Sequence, residues 1–216
     1  MERLSVLPIR TRVASRLRKA LLSAEYAEGQ ELSLTAIAEE LGVSRTPVRE
    51  AFQELEAEGL ITLRMNKGAI VNGIDEKFVR NHFEVRLALE CEAVWLASLR
   101  CHDFSDLAKL QEQEEKHPET IDYHLYNQQF HLGIWQKADN QKMQQLLMSL
   151  WNGPSRARKD LSGLHEQCSI EEHRGILDNL LAQKGEIAVG IMRKHIQRSM
   201  DNVLQDFQEA RPNAGT

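Results

Sequence analysis

The chain has 216 residues, 42% hydrophobic and 27% charged, which is enough apolar surface for a packed core and enough charge to keep it dissolved. That balance excludes a disordered tail, a collagen-like fibre and a Gly/Pro-rich linker protein. The formal net charge of −5 excludes a uniformly basic surface, yet residues 1–75 are close to neutral, with 10 Lys and Arg against 11 Asp and Glu, so local patches matter more than the average.

The first 73 residues read as three helices and a hairpin. From Arg10 to Ala24, Val13, Leu17, Ala20 and Leu21 recur at helical spacing, and Arg10, Arg12, Arg16, Arg18 and Lys19 are expected on the remaining faces. Ser33 is placed to cap a short second helix with Ile37, Ala38 and Leu41 as its stripe, and Gly42 closes it with a sharp turn. Ser44 is expected to cap a third helix whose stripe is Val48, Ala51, Phe52 and Leu55, with Pro47 tolerated in its first turn and Gly59 at its end. Two β-like runs follow, 60–63 and 69–71, joined by Asn66, Lys67 and Gly68.

After Gly73 the texture becomes helical throughout. Amphipathic segments are expected near 76–100, 103–116, 119–138, 140–160, 169–183 and 185–208, with a frayed tail from Arg211. The fold class is therefore mainly α: a small N-terminal domain over 1–73 and an all-helical bundle of about six helices over 74–216. No apolar run reaches the ~18–20 residues that a bilayer span requires. The first residues lack a long apolar stretch before Arg10, Arg12 and Arg16, so export is not expected. Cys91, Cys101 and Cys168 form no CxxC pair, which suits a reduced, cytoplasmic setting.

Within the N-terminal part, Arg45, Thr46, Arg49 and Gln53 fall off the apolar stripe of the third helix and point outward. A helix, a glycine turn and a second helix with Ser, Arg and Thr at its start suit docking in a DNA major groove. Arginine forks match guanine edges or phosphate oxygens, and threonine hydroxyls match phosphates. Any two arginines can also decorate a solvated face. Here the cap, turn, outward cations and basic hairpin tip occur together and in order. The run Leu41-Gly42-Val43-Ser44-Arg45-Thr46-Pro47-Val48-Arg49-Glu50-Ala51 resembles the signature of the GntR family of bacterial winged helix-turn-helix regulators. Leu55, Gly59, Leu60 and Ile61, then Lys67, Gly68, Ala69 and Val71, extend the likeness over residues ~10–73. The resemblance implies that Arg45, Thr46, Arg49, Lys67 and Gly68 contact DNA. One departure is Thr35, where many members carry an arginine.

In the C-terminal part, His82, His102, His117, His124 and His165 sit among polar residues and are expected at the surface. Asn127 and His131 are four apart on one expected helix, and His173 and His195 lie beside the apolar stripes of two others. From spacing alone these histidines are either buried and hydrogen-bonded, the commoner fate, or gathered around a divalent transition metal. The elements Phe130-His131, Glu172-His173 with Ile176-Leu177, and Met192 with His195-Ile196 resemble the FCD effector domain found in one branch of GntR regulators. In that branch an aspartate and three histidines hold a metal such as zinc, nickel or manganese. The resemblance implies His131, His173 and His195 as ligands, with Asn127 in the aspartate place. A neutral amide there is a weaker donor and leaves the site more positive, which favours an anionic effector.

Arg86, in Glu84-Val85-Arg86 followed by Leu89-Glu90, resembles the arginine that meets an effector carboxylate in that domain; an intrahelical pair with Glu90 is the equal alternative. Trp95, Trp135 and Trp151 read as core or dimer packing. Together these features imply a homodimeric regulator, in the usual logic a repressor, that binds double-stranded operator DNA and senses a small carboxylate through a metal-containing cavity. Two alternatives stand beside it. One is a metal-dependent enzyme fused to a DNA-binding head, although no HExxH and no arranged general base accompany the histidines. The other is a metal-free dimerisation scaffold.

Overall fold

The structure is a computed structural model and describes residues 8–23, 25–65, 68–117, 122–151, 153–154 and 162–210. Lys67 and the tail from Arg211 lie outside the described residues. The chain divides into two compact units, residues 1–75 and 76–216.

The first unit holds α1 (Ile9–Leu22), β1 (Glu31–Leu32), α2 (Leu34–Glu40), α3 (Arg45–Ala57), β2 (Ile61–Arg64) and β3 (Gly68–Val71). The expected stripes are its core: Val13, Leu17, Ala20 and Leu21 of α1 pack toward α3, where Val48, Ala51, Phe52 and Leu55 are fully buried. Arg18 departs from its expected exposed place. It lies on the α3-facing side of α1, where its guanidinium donates to Glu58 at 2.7 Å and Glu54 at 2.8 Å, so two carboxylates of α3 draw one cation inward. Gly42 takes φ 63° to end α2, the left-handed turn that a residue without Cβ makes at no steric cost.

Ser33 caps α2 as expected, its hydroxyl accepting from the Ala36 amide. Ser44 occupies the same place before α3 but makes no side-chain cap bond. The reason lies in the sequence: the third helical residue is Pro47, which has no N–H to give. The Ser44 hydroxyl is therefore exposed and uncommitted to the helix.

The strands form an antiparallel sheet in the order β1-β3-β2, with Leu32 opposite Ala69 and Arg64 opposite Gly68. β1 is absent from the sequence reading because two residues cannot display an alternation. Gly68, expected as an exposed wing contact, is buried and has φ 102°. A Cβ there would collide with the carbonyl oxygen of Leu32, so the position demands glycine for conformation and close packing together. Gly68→Ala is expected to destabilise the chain by about 2 kcal/mol, read as a lowered midpoint in denaturant unfolding.

The second unit consists, among the described residues, of α4 (Glu76–Arg100), α5 (Ser105–Lys116), α6 (Tyr123–Lys137), α7 (Gln141–Trp151), α8 (Ser162–Leu181) and α9 (Gly185–Ala210). α4 is the spine. It packs along α9 and also meets α6 and α7, while α8 bridges α9 and α5. Boundaries differ from expectation where polar residues intervene. α6 begins at Tyr123 because Asp122 accepts from the His124 and Leu125 amides. α7 stops at Trp151, short of the expected 160, and Gly153 and Pro154 follow in a bend. α8 starts at Ser162, ahead of the expected 169, over a stretch whose polar composition hides its helical register. No described helix is long and apolar enough to cross a membrane.

Candidate functional site

Three helices bring the histidines together. His131 of α6, His173 of α8 and His195 of α9 are essentially buried, and one ligand nitrogen from each lies within 4.8 Å of the others. His131 Nε2 is 3.3 Å from His195 Nε2. Each ring has a distinct partner for its other nitrogen. Glu172 Oε2 is 2.7 Å from His195 Nδ1. The Tyr126 hydroxyl is 3.1 Å from His173 Nδ1 and donates to Gln111 Oε1 at 2.6 Å, so it accepts from the imidazole. Gln111 is oriented in turn, since its amide nitrogen donates to Glu115 and to the Ile170 carbonyl. Glu90 of α4 places Oε1 3.0 Å from His131 Nδ1, close enough for charge attraction but without hydrogen-bond alignment.

The Glu172 and Tyr126 partners place the proton of His195 and of His173 on Nδ1, which leaves Nε2 of both rings as acceptors. The contact at 3.3 Å between His131 Nε2 and His195 Nε2 is held either by one shared proton or by a cation between the rings. Nitrogens bonded at ~2.0–2.1 Å to a single ion at right or tetrahedral angles sit about 2.8–3.4 Å apart, and the His131–His195 spacing falls in that range. Two further atoms are orphaned. His173 Nε2 and Asn127 Oδ1 are buried without a hydrogen-bond partner, each at a cost of ~1–3 kcal/mol if nothing binds there. Asn127 lies one turn before His131 on α6. The three clustered imidazoles suit a divalent transition metal.

The surroundings preorganise the rings. Phe130 stacks on His173 with centroids 4.1 Å apart, and the Trp151 ring lies 5.2 Å from His131. The Trp135 indole N–H donates to Glu90 Oε2 at 2.8 Å. Burial pushes the Glu90 carboxyl up, but His131, Arg86 and Trp135 outweigh it and hold it at about 2. Glu172 is likewise held at about 2, where Arg198 and His195 overcome partial burial. Both carboxylates were missed as parts of the site because their roles appear only when separate helices pack. They also change its charge: the negative charge that Asn127 lacks is supplied one layer out, behind His131 and His195.

Arg86 is half-buried, with Nε 3.4 Å from Glu90 Oε1 and its guanidinium 4.7 Å over the Trp151 ring. The intrahelical pair is thus formed, and it links Arg86 to the histidine cluster through Glu90. Trp135 is buried in the core as expected, and with Trp151 it packs beside His131. His82 and His165, expected at the surface, are half-buried: His82 packs edge-on against Phe83, and His165 Nδ1 lies 2.7 Å from Arg198.

Burial holds His195 at about 4 despite Glu172, and burial with Arg86 nearby holds His82 at about 4. Burial, then His195 and His131, keep His173 well below its ordinary value. In the unfolded chain these rings protonate near 6.5, so as pH falls from about 6.5 toward 4 the unfolded state takes up protons first. Stability is complete above that window and declines within it, by about 3 kcal/mol for His195 alone. The carboxylates act lower, losing their contribution between about 4.5 and 2. Melts of chelator-treated protein are expected to show a falling Tm below pH 6.5; a flat profile down to pH 4 would contradict the buried neutral rings.

In the first unit, Arg45, Thr46, Arg49 and Gln53 are exposed on one side of α3, and neither arginine has an ion-pair partner among the described residues. That leaves two uncompensated guanidinium groups on a helix surface, the arrangement that phosphate and guanine edges require.

Comparison with known proteins agrees with both halves. The family described as "Bacterial regulatory proteins, gntR family" matches residues 9–71, and "FCD domain" matches residues 81–198. The chain is 28% identical over 210 residues to "HTH-type transcriptional repressor RspR" of Escherichia coli K12, covering 94% of this chain and 92% of that protein. It is 31% identical over 203 residues to the "Probable D-xylose utilization operon transcriptional repressor" of Paenarthrobacter nicotinovorans, covering 87% of each. The solved structure of E. coli McbR/YncC shares the fold, with a TM-score of 0.67 at 24% identity over 95% of this chain and all of that one. With both domain models matched and a relative 31% identical over 87% of each chain, the chain belongs to the GntR family of bacterial DNA-binding transcription regulators, in the branch that carries an FCD domain.

Proposed function

We propose that the protein is a ligand-responsive repressor that grips operator DNA as a homodimer and releases it when a small organic acid occupies the FCD domain. Arg45, Thr46 and Arg49 make the major-groove and phosphate contacts, and the Ser44 hydroxyl, free of capping duty, joins them at a phosphate. Lys67 and the backbone at Gly68 serve the wing. One reading helix spans too few base pairs for useful specificity, so two-fold pairing on a palindromic site follows.

In the second unit, His131, His173, His195 and Asn127 hold a divalent transition metal, which supplies a Lewis-acid anchor for a carboxylate. Arg86, released from part of its pairing with Glu90, meets the same carboxylate with its guanidinium fork. Ligand binding then shifts the population between two arrangements of the reading heads; a coupling of ~1–3 kcal/mol changes operator affinity about 5–150-fold. The repressor sign is supported by relatives named as repressors.

The observation that carries the sensing half is the meeting of three buried imidazoles, with His173 Nε2 left without a hydrogen-bond partner among them. Asn127→Asp tests it. Restoring a carboxylate is expected to tighten zinc binding about tenfold or more by titration calorimetry, because a charged oxygen replaces a neutral one at a buried site. Unchanged zinc affinity would remove Asn127 from the ligand set.

A further inference from the structure

Where α5, the start of α6 and α8 meet, the helical unit has a cavity of about 920 Å³, and none of the three clustered histidines lines it. Its wall is acidic: Glu114 and Glu115 come from α5, Asp122 from the start of α6, and Glu166 and Glu171 from α8, with Arg174 as the one guanidinium. Two of these charges are already in use. Arg174 donates to Glu115 at 2.8 Å, and Asp122 caps α6. That leaves Glu114, Glu166 and Glu171 facing the space.

Glu114 is the informative member. It is only 3% exposed, it lines the cavity, and its Oε2 has no hydrogen-bond partner. Burial raises its carboxyl, and the neighbouring Glu166 and Asp122 raise it further. A buried carboxylate with one oxygen unpartnered, beside two like charges, is unfavourable by itself and suits a site that receives a cation. The occupant is not a single metal ion: among the described residues, the grouping close enough to share one is the histidine set, and the acids of this wall form no such group. Tyr123 and Ile170 also line the space, adding an apolar surface between separated charges.

We propose that this cavity binds a linear aliphatic polyamine, its methylene chain against Tyr123 and Ile170 and its ammonium groups on Glu114 and on Glu166 with Glu171. Separated ammonium groups on a flexible apolar spacer match separated carboxylates in a way that a compact ion does not, and the volume falls in the range of small-molecule pockets.

Titration calorimetry of the full chain with spermidine tests the assignment, alongside magnesium chloride at matched charge. Saturable spermidine binding is expected, weakened at least tenfold in Glu114→Gln and in Glu166→Gln. Without spermidine, Glu114→Gln is expected to melt at or above the parent temperature, since it removes an unpaired buried charge, which shows that its lost binding is not unfolding. The proposal is overturned by an absence of saturable heat with spermidine, by parent-like affinity in both variants, or by magnesium displacing spermidine completely, which would reveal diffuse counterion exchange.

Discussion

Replacing His173 with alanine is expected to weaken zinc binding by more than ~100-fold while leaving operator affinity without effector close to that of the parent, as read by zinc titration and gel shift. His173 supplies the orphaned buried nitrogen, its ring is fixed by Phe130 on one side and Tyr126 on the other, and no nearby group takes its place. The substitution also opens a cavity in the core, at ~2–4 kcal/mol, so a volume-conserving partner variant is needed. His131→Gln keeps more of the packing and is expected to lose metal likewise. If both variants retain full metal content by elemental analysis, the three-histidine centre is wrong.

Arg49→Ala is expected to cost ~1–3 kcal/mol of operator affinity per reading head, about 5–150-fold for each, without lowering Tm. The side chain is exposed on α3 and pairs with nothing among the described residues, so its removal leaves the core stripe of Val48, Ala51, Phe52 and Leu55 untouched. A competing measurement separates reading from charge. If Arg49 meets a base, its loss relaxes sequence preference; if it meets a phosphate, affinity falls on all sequences and the salt dependence becomes shallower. Unaltered binding to the operator would exclude both.

The main helices, the turn at Gly42 and the core stripe of α3 were legible because each depends on local spacing and on single residues with special backbone behaviour. The histidine set was legible as residue types and family likeness, but not as geometry. What could not be read depends on contacts between distant segments. Arg18 turns inward because Glu54 and Glu58, some 36 and 40 residues later, meet it across α1 and α3. Glu90 and Glu172 become backing groups for His131 and His195 only once α4, α6, α8 and α9 are packed. The chain from Gln111 through Tyr126 to His173 joins three helices and has no periodic signature at all. The weakened cap at Ser44, by contrast, was visible in the sequence: Pro47 three residues later removes one of the two amides that a cap can accept from.

The same reasoning explains how the site tolerates asparagine in place of a charged ligand. Two ionised carboxylates, held at about 2 by their neighbours, stand behind two of the imidazoles and polarise them through Nδ1. On the proposed reading the charge of a bound metal would be balanced from outside the ligand set, and Arg86 would keep the face toward a carboxylate positive.

The most direct measurement is anomalous scattering from crystals of the full chain grown with zinc, with data collected on both sides of the zinc edge. The account predicts one strong peak per chain, bonded to Nε2 of His131, His173 and His195. Crystals that show the three rings in this arrangement but no peak among them, or a peak held by other residues, would contradict it.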